Sequence, residues 1–246
     1  MDLRNKTALV TGGAVRIGRA ICEALAEARC NVVIHCRRSE KAAQSLARAL
    51  KRRGIGVGIV QGDLADEAAC RAAIGAARRC AGRLHILVNN AAVFHKDPLR
   101  TVTGAKLQAE MAVNLFAPLF LTREFAAQAG RGGKVVNLLD RRIAGYEVGS
   151  LPYLLSKKAL AEFTRAAALE LAPRISVNAV APGAVLPPPG RGPDRLREWA
   201  GPNPLRRKTT PQDIAQTVVY LLQADSVTGQ VIYTDGGQHL LGSRGG

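Results

Sequence analysis

Residues 7–18, which read TALVTGGAVRIG, decide the predicted fold. The stretch opens with a short apolar and β-branched run, which is typical of a buried strand. Glycines then permit a tight turn, and Ile17, Ile21 and Leu25 follow at helical spacing. A strand that leads through a glycine turn into a helix is the first half of a β-α-β unit. The stretch therefore predicts an α/β protein.

The same alternation continues over most of the chain. Six further strands are predicted, at 31–35, 57–61, 84–89, 134–139, 175–180 and 230–234. Helices are predicted between them, at about 39–52, 65–80, 101–112, 113–129, 150–171 and 211–223. Because most of the strands are apolar on both sides, they predict one parallel sheet with helices on both faces. The expected fold is a single Rossmann-type, doubly wound α/β sheet of about seven strands.

Residues 182–204 differ in composition from the rest, since they contain seven prolines. The stretch is too short to form a domain of its own. A chain of 246 residues is long enough to bury one large core. We therefore predict a single domain over residues 1–246, with a substrate loop or lid at about 184–208.

The chain has a formal net charge of +16 and a sequence pI near 10.4. A basic balance of this size is typical of proteins that bind nucleic acid or membrane surfaces. Here the basic residues are scattered, and aromatic side chains do not alternate with them as a single-strand binding groove requires. We expect a solvated basic surface that favours anionic ligands, without a nucleic-acid or membrane partner.

The five cysteines contain no C-x-x-C pair, and the sequence predicts no metal site. No apolar run approaches the ~20 residues that a membrane span needs. An odd number of cysteines without an apolar leader segment is typical of reduced thiols. The sequence therefore predicts a cytoplasmic protein.

Ligands of an open parallel sheet bind beyond the carboxyl ends of its strands. The first strand ends at the glycine turn, and the following helix offers free main-chain N–H groups to a pyrophosphate. The second strand ends at Arg37, Arg38 and Ser39, where NAD-binding proteins usually carry an acidic residue. A carboxylate would repel a 2′-phosphate, whereas guanidinium groups and a hydroxyl at a helix start would bind it. NADPH is therefore the predicted cofactor; the alternative is that both arginines are ordinary surface charges.

Two later strand ends complete the predicted cofactor site. Asp63 and Leu64 follow the third strand and are suited to contacting adenine. Residues 89–92 end the fourth strand, and their small side chains let a cofactor lie close to the main chain.

Tyr153 and Lys157 are four residues apart on the helix predicted at 150–171, so they share one face. A tyrosine, with an ordinary pKa near 10, is a weak acid or base at neutral pH unless its phenolate is stabilised. A lysine ammonium one turn away supplies that stabilisation. In a chain with a predicted dinucleotide site, the pair indicates proton transfer to or from a substrate.

Together these motifs resemble those of the short-chain dehydrogenase/reductase family. The resemblance extends over nearly the whole chain, through residues 11–18, 63–64, 89–91, 114, 153–157, 182–183, 228–230 and 235–237. It implies that Tyr153 donates a proton, that Lys157 binds the nicotinamide ribose and lowers the Tyr153 pKa, and that Asn114 holds a water in the proton relay. It further implies a homotetramer assembled through helices around 101–129 and 150–171. The cofactor contacts that it implies are Gly12, Arg16, Ile17, Gly18, Asn90, Ala91, Pro182, Gly183 and Val185.

Two positions depart from the general pattern of that family. Arg16 replaces the middle glycine of its T-G-x-x-x-G-I-G motif. Asp140 stands where its catalytic serine would be, thirteen residues before Tyr153. With the H-x-R-R-S stretch at 35–39 and Phe94 after the N-N-A-A-V run, the chain resembles the pteridine reductase branch. The substrate contacts predicted on this basis are Arg16, Phe94, Asp140, Tyr153 and Leu186.

The substitutions suit a nitrogen heterocycle as substrate. A serine hydroxyl can donate to a ketone oxygen as negative charge develops there, whereas an ionised Asp140 would oppose that charge. Reduction of a pterin C=N bond needs a proton at ring nitrogen, which a carboxyl group hydrogen-bonded to Tyr153 could help to relay. Phe94 could stack on the flat ring, and Arg16 could reach both the pyrophosphate and the pterin edge. The alternatives are a surface aspartate paired with a neighbouring arginine, and ordinary packing of the phenylalanine.

The sequence therefore predicts an NADPH-dependent oxidoreductase that reduces a dihydropterin or a related pteridine. The first alternative is an NADPH-dependent carbonyl reductase, such as a 3-oxoacyl-[acyl-carrier-protein] reductase. The second alternative is a regulator that binds the cofactor without turnover. Intact Asn114, Tyr153 and Lys157 argue against the second alternative.

Overall fold

The computed structural model of the chain describes residues 1–130, 132–186 and 203–241. The predicted lid at about 184–208 lies mostly outside these residues, since only its two ends, 184–186 and 203–208, are described. The lid therefore stays a prediction.

Seven strands form one parallel sheet in the order β3-β2-β1-β4-β5-β6-β7. This confirms the predicted Rossmann-type sheet. The strand order reverses direction between β1 and β4, which is where ligands of such sheets bind. The strands are β1 (Thr7–Val10), β2 (Asn31–Cys36), β3 (Val57–Gln61), β4 (Ile86–Asn89), β5 (Gly133–Leu138), β6 (Ile175–Pro182) and β7 (Val231–Thr234).

Five strands, β1, β2, β4, β5 and β6, are buried on both faces, whereas the edge strands β3 and β7 are mostly half-buried. Successive side chains of a strand point to opposite sides of the sheet, so a central strand is covered on both. In β1, Ala8 and Val10 pack into one core cluster and Leu9 packs into the other, and all three are fully buried. Apolar residues at consecutive positions are what such a two-sided strand requires. The sequence pattern of β1 therefore follows directly from its central place in the sheet.

Helices cover both faces of the sheet. One core cluster contains side chains of α1, α2 and α7, and the other contains side chains of α3, α5 and α6. In the described part of the chain, no helix is both long and apolar enough to cross a membrane. The helices are α1 (Arg16–Glu27), α2 (Glu40–Lys51), α3 (Glu67–Ala81), α4 (Gly104–Met111), α5 (Ala117–Gln128), α6 (Leu151–Glu170) and α7 (Pro211–Gln223).

The prediction of two separate helices at 101–112 and 113–129 is wrong in one respect. Helices α4 and α5 are joined without a break by a π-helical segment, Ala112–Phe116. Asn114 lies in this segment and is fully buried. Single π-helical turns inside α-helices are frequent at functional sites.

Ser39 occupies the N-cap position of α2, as the sequence predicts, but its hydroxyl accepts no hydrogen bond from the main chain of that helix. Its backbone angles, φ −92° and ψ 45°, differ from the extended conformation in which a capping side chain reaches the helix. The expected cap is therefore absent, and Ser39 instead lines a cleft at the edge of the sheet.

Candidate active site

Two clefts lie side by side at the carboxyl edge of the sheet, each with a volume of about 520 Å³. The β2 cleft is lined by residues at the ends of β1, β2 and β3, and the β6 cleft by residues at the ends of β5 and β6. They join because five residues line both of them, namely Arg16, Ile17, Asn90, Ala92 and Tyr153.

The structure places every predicted site residue except Asn114 in one of these clefts. Asn114 is fully buried and lines neither of them. The predicted residues of the β2 cleft are Gly12, Arg16, Ile17, Gly18, Arg37, Arg38, Ser39, Asp63, Leu64, Asn90, Ala91 and Tyr153. The predicted residues of the β6 cleft are Arg16, Ile17, Asn90, Phe94, Asp140, Tyr153, Lys157, Pro182, Gly183, Val185 and Leu186.

The glycine turn brings its main chain unusually close to the start of α1. A Cβ atom at Gly18 would lie 2.2 Å from the carbonyl oxygen of Gly12, so only glycine fits there. Gly12 itself has φ +61°, in the left-handed region that favours glycine. The Asn90 amide holds the turn by donating to the carbonyl oxygens of Thr11 at 2.8 Å and Gly12 at 3.1 Å. The turn and the start of α1 therefore fit the pyrophosphate of a dinucleotide.

Arg16 stands at the first position of α1 with φ +56°, a conformation that costs a residue other than glycine about 1–2 kcal/mol. Its side chain lines both clefts, and partial burial lowers the pKa of its guanidinium. Arg16 thus combines a strained backbone conformation with a cationic side chain that lies where the two clefts meet.

His35 fixes the floor of the β2 cleft, which the sequence did not reveal. The main-chain N–H of Gly12 donates to its Nδ1 at 3.3 Å, and its Nε2 lies 3.2 Å from the carbonyl oxygen of Gly62. An Nδ1 that accepts a hydrogen bond belongs to a neutral imidazole, which therefore donates through Nε2. Burial lowers the His35 pKa and favours the same neutral form. His35 thus ties the glycine turn to the end of β3.

The arginines at the end of β2 lie at the rim of the β2 cleft. The Nε of Arg37 is 2.8 Å from Oδ2 of Asp63, and both side chains are about half exposed. The carboxylate of Asp63, predicted to contact adenine, is therefore engaged with a guanidinium. Arg38 and Ser39 also line the rim. An anion at this rim would meet two guanidinium groups, one of them paired with the Asp63 carboxylate, and one hydroxyl.

The phenol of Tyr153 is held by the carboxylate of Asp140. Its hydroxyl donates to Oδ2 of Asp140 at 3.0 Å, and the residue is 8% exposed. Burial, and then the Asp140 carboxylate, raise the pKa of Tyr153 well above its ordinary value. The phenol therefore stays protonated near neutral pH and is suited to act as a proton donor.

Phe94 forms the aromatic wall of the β6 cleft. Its ring meets the Tyr153 ring edge-on, with centroids 4.9 Å apart and an interplanar angle of 86°. Phe94 is 39% exposed and lines the cleft, so part of its ring is accessible from the cleft. One face of a flat ring could stack there.

Lys157 lies one turn from Tyr153 on α6 and is 3% exposed. Its Nζ donates to the carbonyl oxygen of Leu138 at 2.7 Å and lies 5.8 Å from the centre of the Tyr153 ring. Burial lowers the Lys157 pKa to about 8. At neutral pH the ammonium form therefore still dominates. The predicted lowering of the Tyr153 pKa by Lys157 is not found, since that pKa is raised and the positive charge that opposes the rise is that of Arg142.

Asn114 fixes the main chain beside Phe94. Its Oδ1 accepts from the N–H of Val93 and its Nδ2 donates to the carbonyl oxygen of Val93, both at 2.9 Å. Its Nδ2 also donates to Oε2 of Glu110 at 2.7 Å. Since these protein groups engage its side chain, the water that Asn114 is predicted to hold stays a prediction.

Glu110 fixes the other side of Phe94, and the sequence analysis missed it. It is 1% exposed, and its Oε1 accepts from the main-chain N–H of His95 at 2.7 Å. Glu110 and Asn114 are four residues apart, the spacing at which helical side chains meet, and this spacing was the available signal. Asn114 therefore holds the main chain at Val93, and Glu110 holds it at His95, on the two sides of Phe94.

Asp140 has both of the partners that the sequence left open. Its Oδ2 accepts from Tyr153, while its Oδ1 accepts from the main-chain N–H of Arg142 at 2.9 Å and lies 3.9 Å from the Nε of that arginine. The guanidinium carbon of Arg142 is also 5.1 Å from the centre of the Phe94 ring. Arg142 is therefore a wall of the β6 cleft, a place that the sequence analysis did not assign to it.

Comparisons with known proteins agree with this geometry. A family model described as Enoyl-(Acyl carrier protein) reductase matches residues 13–239. The crystal structure of FolM alternative dihydrofolate reductase 1 from Brucella canis, complexed with NADP, aligns with a TM-score of 0.92 at 37% identity. That alignment covers 97% of this chain and 96% of the other.

Two curated relatives cover the chain to a similar extent. Pteridine reductase 1 of Leishmania tarentolae is 32% identical in an alignment of 277 positions that covers 95% of this chain and 96% of that protein. L-2,3-butanediol dehydrogenase of Corynebacterium glutamicum is 34% identical in an alignment of 262 positions that covers 95% of this chain and 98% of that protein. The chain is thus similar to oxidoreductases whose names indicate different substrates.

Proposed function

Since this chain belongs to the short-chain dehydrogenase/reductase family and is an NADP-dependent enzyme of it, we propose that it reduces a dihydropterin or a closely related pteridine. The observation that carries the proposal is the 3.0 Å hydrogen bond from Tyr153 to Asp140, next to the ring of Phe94. A protonated phenol, a carboxylate and an exposed aromatic ring then line one cleft. This combination suits a flat ring that must be protonated on nitrogen. Because the chain is an enzyme, the alternative of a regulator without turnover is not retained.

NADPH is the cofactor, and it supplies a hydride when it is bound. The residues of the β2 cleft fit such a group. In our proposal, the main chain at Gly12 and Gly18 binds the pyrophosphate at the start of α1. Arg37 and Arg38 bind the 2′-phosphate, and Lys157 binds the nicotinamide ribose.

Tyr153 would deliver the proton to the ring nitrogen in this proposal. Its raised pKa keeps the proton on the phenol until a strongly basic nitrogen develops in the substrate. The Lys157 ammonium then stabilises the phenolate, while the Asp140 carboxylate disfavours it and so favours its reprotonation. Phe94 and Arg142 border the cleft and would orient the ring.

The proposal is tested by adding dihydrobiopterin or dihydromonapterin to the purified protein and NADPH. We expect NADPH oxidation, followed at 340 nm, that depends on the concentration of the pterin. The same protein with 2,3-butanedione or an oxoacyl thioester measures the carbonyl alternative. Turnover of a carbonyl compound without turnover of any pterin or folate would reject the proposed substrate class.

The activity should fall at alkaline pH because Lys157 loses its charge there. Its pKa of about 8 means that the ammonium dominates below pH 8 and is lost as the pH rises through that value. Tyr153, whose pKa is raised, stays protonated over the same range. We expect kcat/KM for NADPH to be level from pH 6 to about 7.5 and to fall about tenfold per pH unit well above 8. Initial rates between pH 6 and 10 measure this, and a level profile up to pH 9.5 would contradict it.

Arg37 and Arg38 should determine the preference for NADPH over NADH. Replacing either by alanine is expected to raise KM for NADPH about tenfold, because one charge-assisted hydrogen bond to the 2′-phosphate is worth about 1.5 kcal/mol at such an exposed rim. KM for NADH, which lacks that phosphate, should change less than about twofold. The exposed Arg48 on α2 provides the matched control, Arg48→Ala. Unchanged KM values in all variants would mean that the two arginines are surface charges.

Four further expectations from the sequence stay predictions. They are the single domain over 1–246, the lid at about 184–208, the homotetramer through helices around 101–129 and 150–171, and the cytoplasmic location.

A further inference from the structure

Two cations lie at nearly the same distance from the ring of Tyr153. The Nζ of Lys157 is 5.8 Å from the ring centre, and the guanidinium carbon of Arg142 is 5.9 Å from it. Of the two, the family resemblance assigns a role to Lys157. Arg142 belongs to the short 3₁₀ turn Arg141–Ala144, which follows β5 in the chain. The motif that contains Tyr153 and Lys157 therefore does not account for Arg142.

The proposed reaction places two negative charges side by side. The hydride of NADPH forms a C–H bond at the carbon of the C=N group, which converts NADPH to NADP⁺. The electron pair of that double bond takes the proton of Tyr153, so the phenolic O–H bond breaks and an N–H bond forms. Since the phenol is hydrogen-bonded to Asp140 at 3.0 Å, the new phenolate lies next to a carboxylate. Two adjacent anions in a partly buried site repel each other strongly.

Arg142 contacts both members of this pair. Its main-chain N–H donates to Oδ1 of Asp140 at 2.9 Å, and its Nε lies 3.9 Å from the same oxygen. Its guanidinium also lies over the ring of Tyr153. Burial and the Asp140 carboxylate raise the pKa of Tyr153, and the charge of Arg142 opposes that rise. The guanidinium therefore favours the negative charge that the reaction leaves on the phenol.

The guanidinium of Arg142 is held in place before the reaction. Its Nε lies 2.8 Å from Oε2 of Glu147, and its side chain is 17% exposed, which weakens screening by solvent. The other carboxylate oxygen of Glu147 lies 3.0 Å from Arg141, so this carboxylate is shared between two guanidinium groups. Lys158 fastens the turn by donating to the carbonyl oxygen of Ile143 at 2.9 Å. A cation that is already in position stabilises a developing charge without reorganisation.

We propose that Arg142 is a second cation of the proton transfer, which stabilises the adjacent anions that form when Tyr153 gives up its proton beside Asp140. It acts through those two residues, so it is a positioning residue of the proton donor. Arginine keeps its charge at every working pH. Lys157, with a pKa of about 8, loses its charge above that value. The inference rests on the proposed pterin reduction and adds a residue to it.

Two replacements of Arg142 separate its charge from its shape. Arg142→Gln keeps a planar group without the charge, and Arg142→Lys keeps the charge without the planar group. Single-turnover rates are measured with saturating NADPH and dihydrobiopterin at pH 7. We expect Arg142→Gln to lower the rate about tenfold, because a nearby charge is lost from a partly buried site. Arg142→Lys should stay within about threefold of the unaltered enzyme, because a charge of the same sign remains.

The solvent isotope effect tells a slower proton transfer from a displaced substrate. The rates are compared in H₂O and D₂O, and Arg142→Gln should show the larger ratio, because proton transfer then limits the rate more strongly. A change that merely misplaces the substrate slows hydride transfer as well and does not raise the ratio. Arg141→Gln is the matched control, since it removes the same charge from the same partner, Glu147. It should leave the isotope effect unchanged, whatever it does to KM.

The outcomes separate this inference from the proposed function. Equal rates in Arg142→Gln and Arg142→Lys overturn the role of Arg142, because its charge then has no part, and pterin reduction stands. If circular dichroism shows Arg142→Gln to be unfolded, the double variant Arg142→Gln/Glu147→Gln, which leaves no carboxylate at position 147, replaces it. Its rate should be at least about fivefold below that of the unaltered enzyme, and an unchanged rate overturns the inference. Absence of turnover with every pterin in the unaltered enzyme overturns the proposed function, and with it this inference.

Discussion

Tyr153→Phe is expected to lower kcat for pterin reduction about 10³-fold, because it removes the phenolic proton that the reaction consumes. Such a loss corresponds to about 4 kcal/mol in the activation free energy. KM for NADPH should change less than about twofold, since the ring that lines both clefts is kept. Single-turnover rates with saturating NADPH and dihydrobiopterin measure the effect at the chemical step.

The variant should still fold. Asp140 keeps its hydrogen bond from the main-chain N–H of Arg142, so its carboxylate is not left without a donor. We expect the free energy of unfolding to fall by about 1 kcal/mol, the ordinary contribution of one hydrogen bond. A Tyr153→Phe enzyme with more than a tenth of the original kcat would show that another group donates the proton.

Asp140→Ser is expected to lower kcat/KM for dihydropterins about 100-fold and to maintain or raise activity on 2,3-butanedione. Loss of the carboxylate removes the group that would help to relay a proton to ring nitrogen. The serine hydroxyl can instead donate to a ketone oxygen, which an ionised aspartate opposes. The ratio of the two activities, measured in one preparation, is independent of any partial unfolding.

The pH profile gives a second readout of the same variant. The Asp140 carboxylate is one cause of the raised pKa of Tyr153, so its removal should lower that pKa toward the ordinary value. Asp140→Asn is the matched control, because an amide oxygen still accepts the hydrogen bond from Arg142 without the negative charge. If Asp140→Ser reduces pterins as well as the unaltered enzyme does, the carboxylate has no part in the reaction.

The sheet could be predicted because its determinants are local. Most strands are short apolar runs buried on both faces, as β1 shows, and all but the last are followed by helical periodicity. All seven predicted strands occur within two residues of their expected positions. The π-helical segment at Ala112–Phe116 was beyond sequence reasoning, because its central residue, Asn114, makes hydrogen bonds to Val93 and Ser156, both distant in the chain.

The candidate site was predictable where a motif is contiguous and not where distant segments meet. Gly12, Gly18, Tyr153 and Lys157 lie in two short stretches, and their spacing alone brings them into the clefts. Arg142 reaches Phe94 across forty-eight positions of the chain, so no local pattern reveals their contact. A smaller cleft, lined by residues of the 94–96 and 141–150 segments, depends on the same meeting of distant parts of the chain.

The left-handed backbone conformation of Arg16 is one that glycine adopts without strain, so glycine is the natural replacement at this position. Glycine there would relieve about 1–2 kcal/mol of backbone strain but would add roughly 0.5–1 kcal/mol of chain entropy to the unfolded state. These two backbone contributions nearly cancel, so a change in Tm beyond about 3 °C in Arg16→Gly would measure what the interactions of the side chain contribute. A thermal melt checks this, and a loss of more than about 8 °C would show that the guanidinium is needed for folding. A single substitution at position 16 would then change the side chain that lines both clefts.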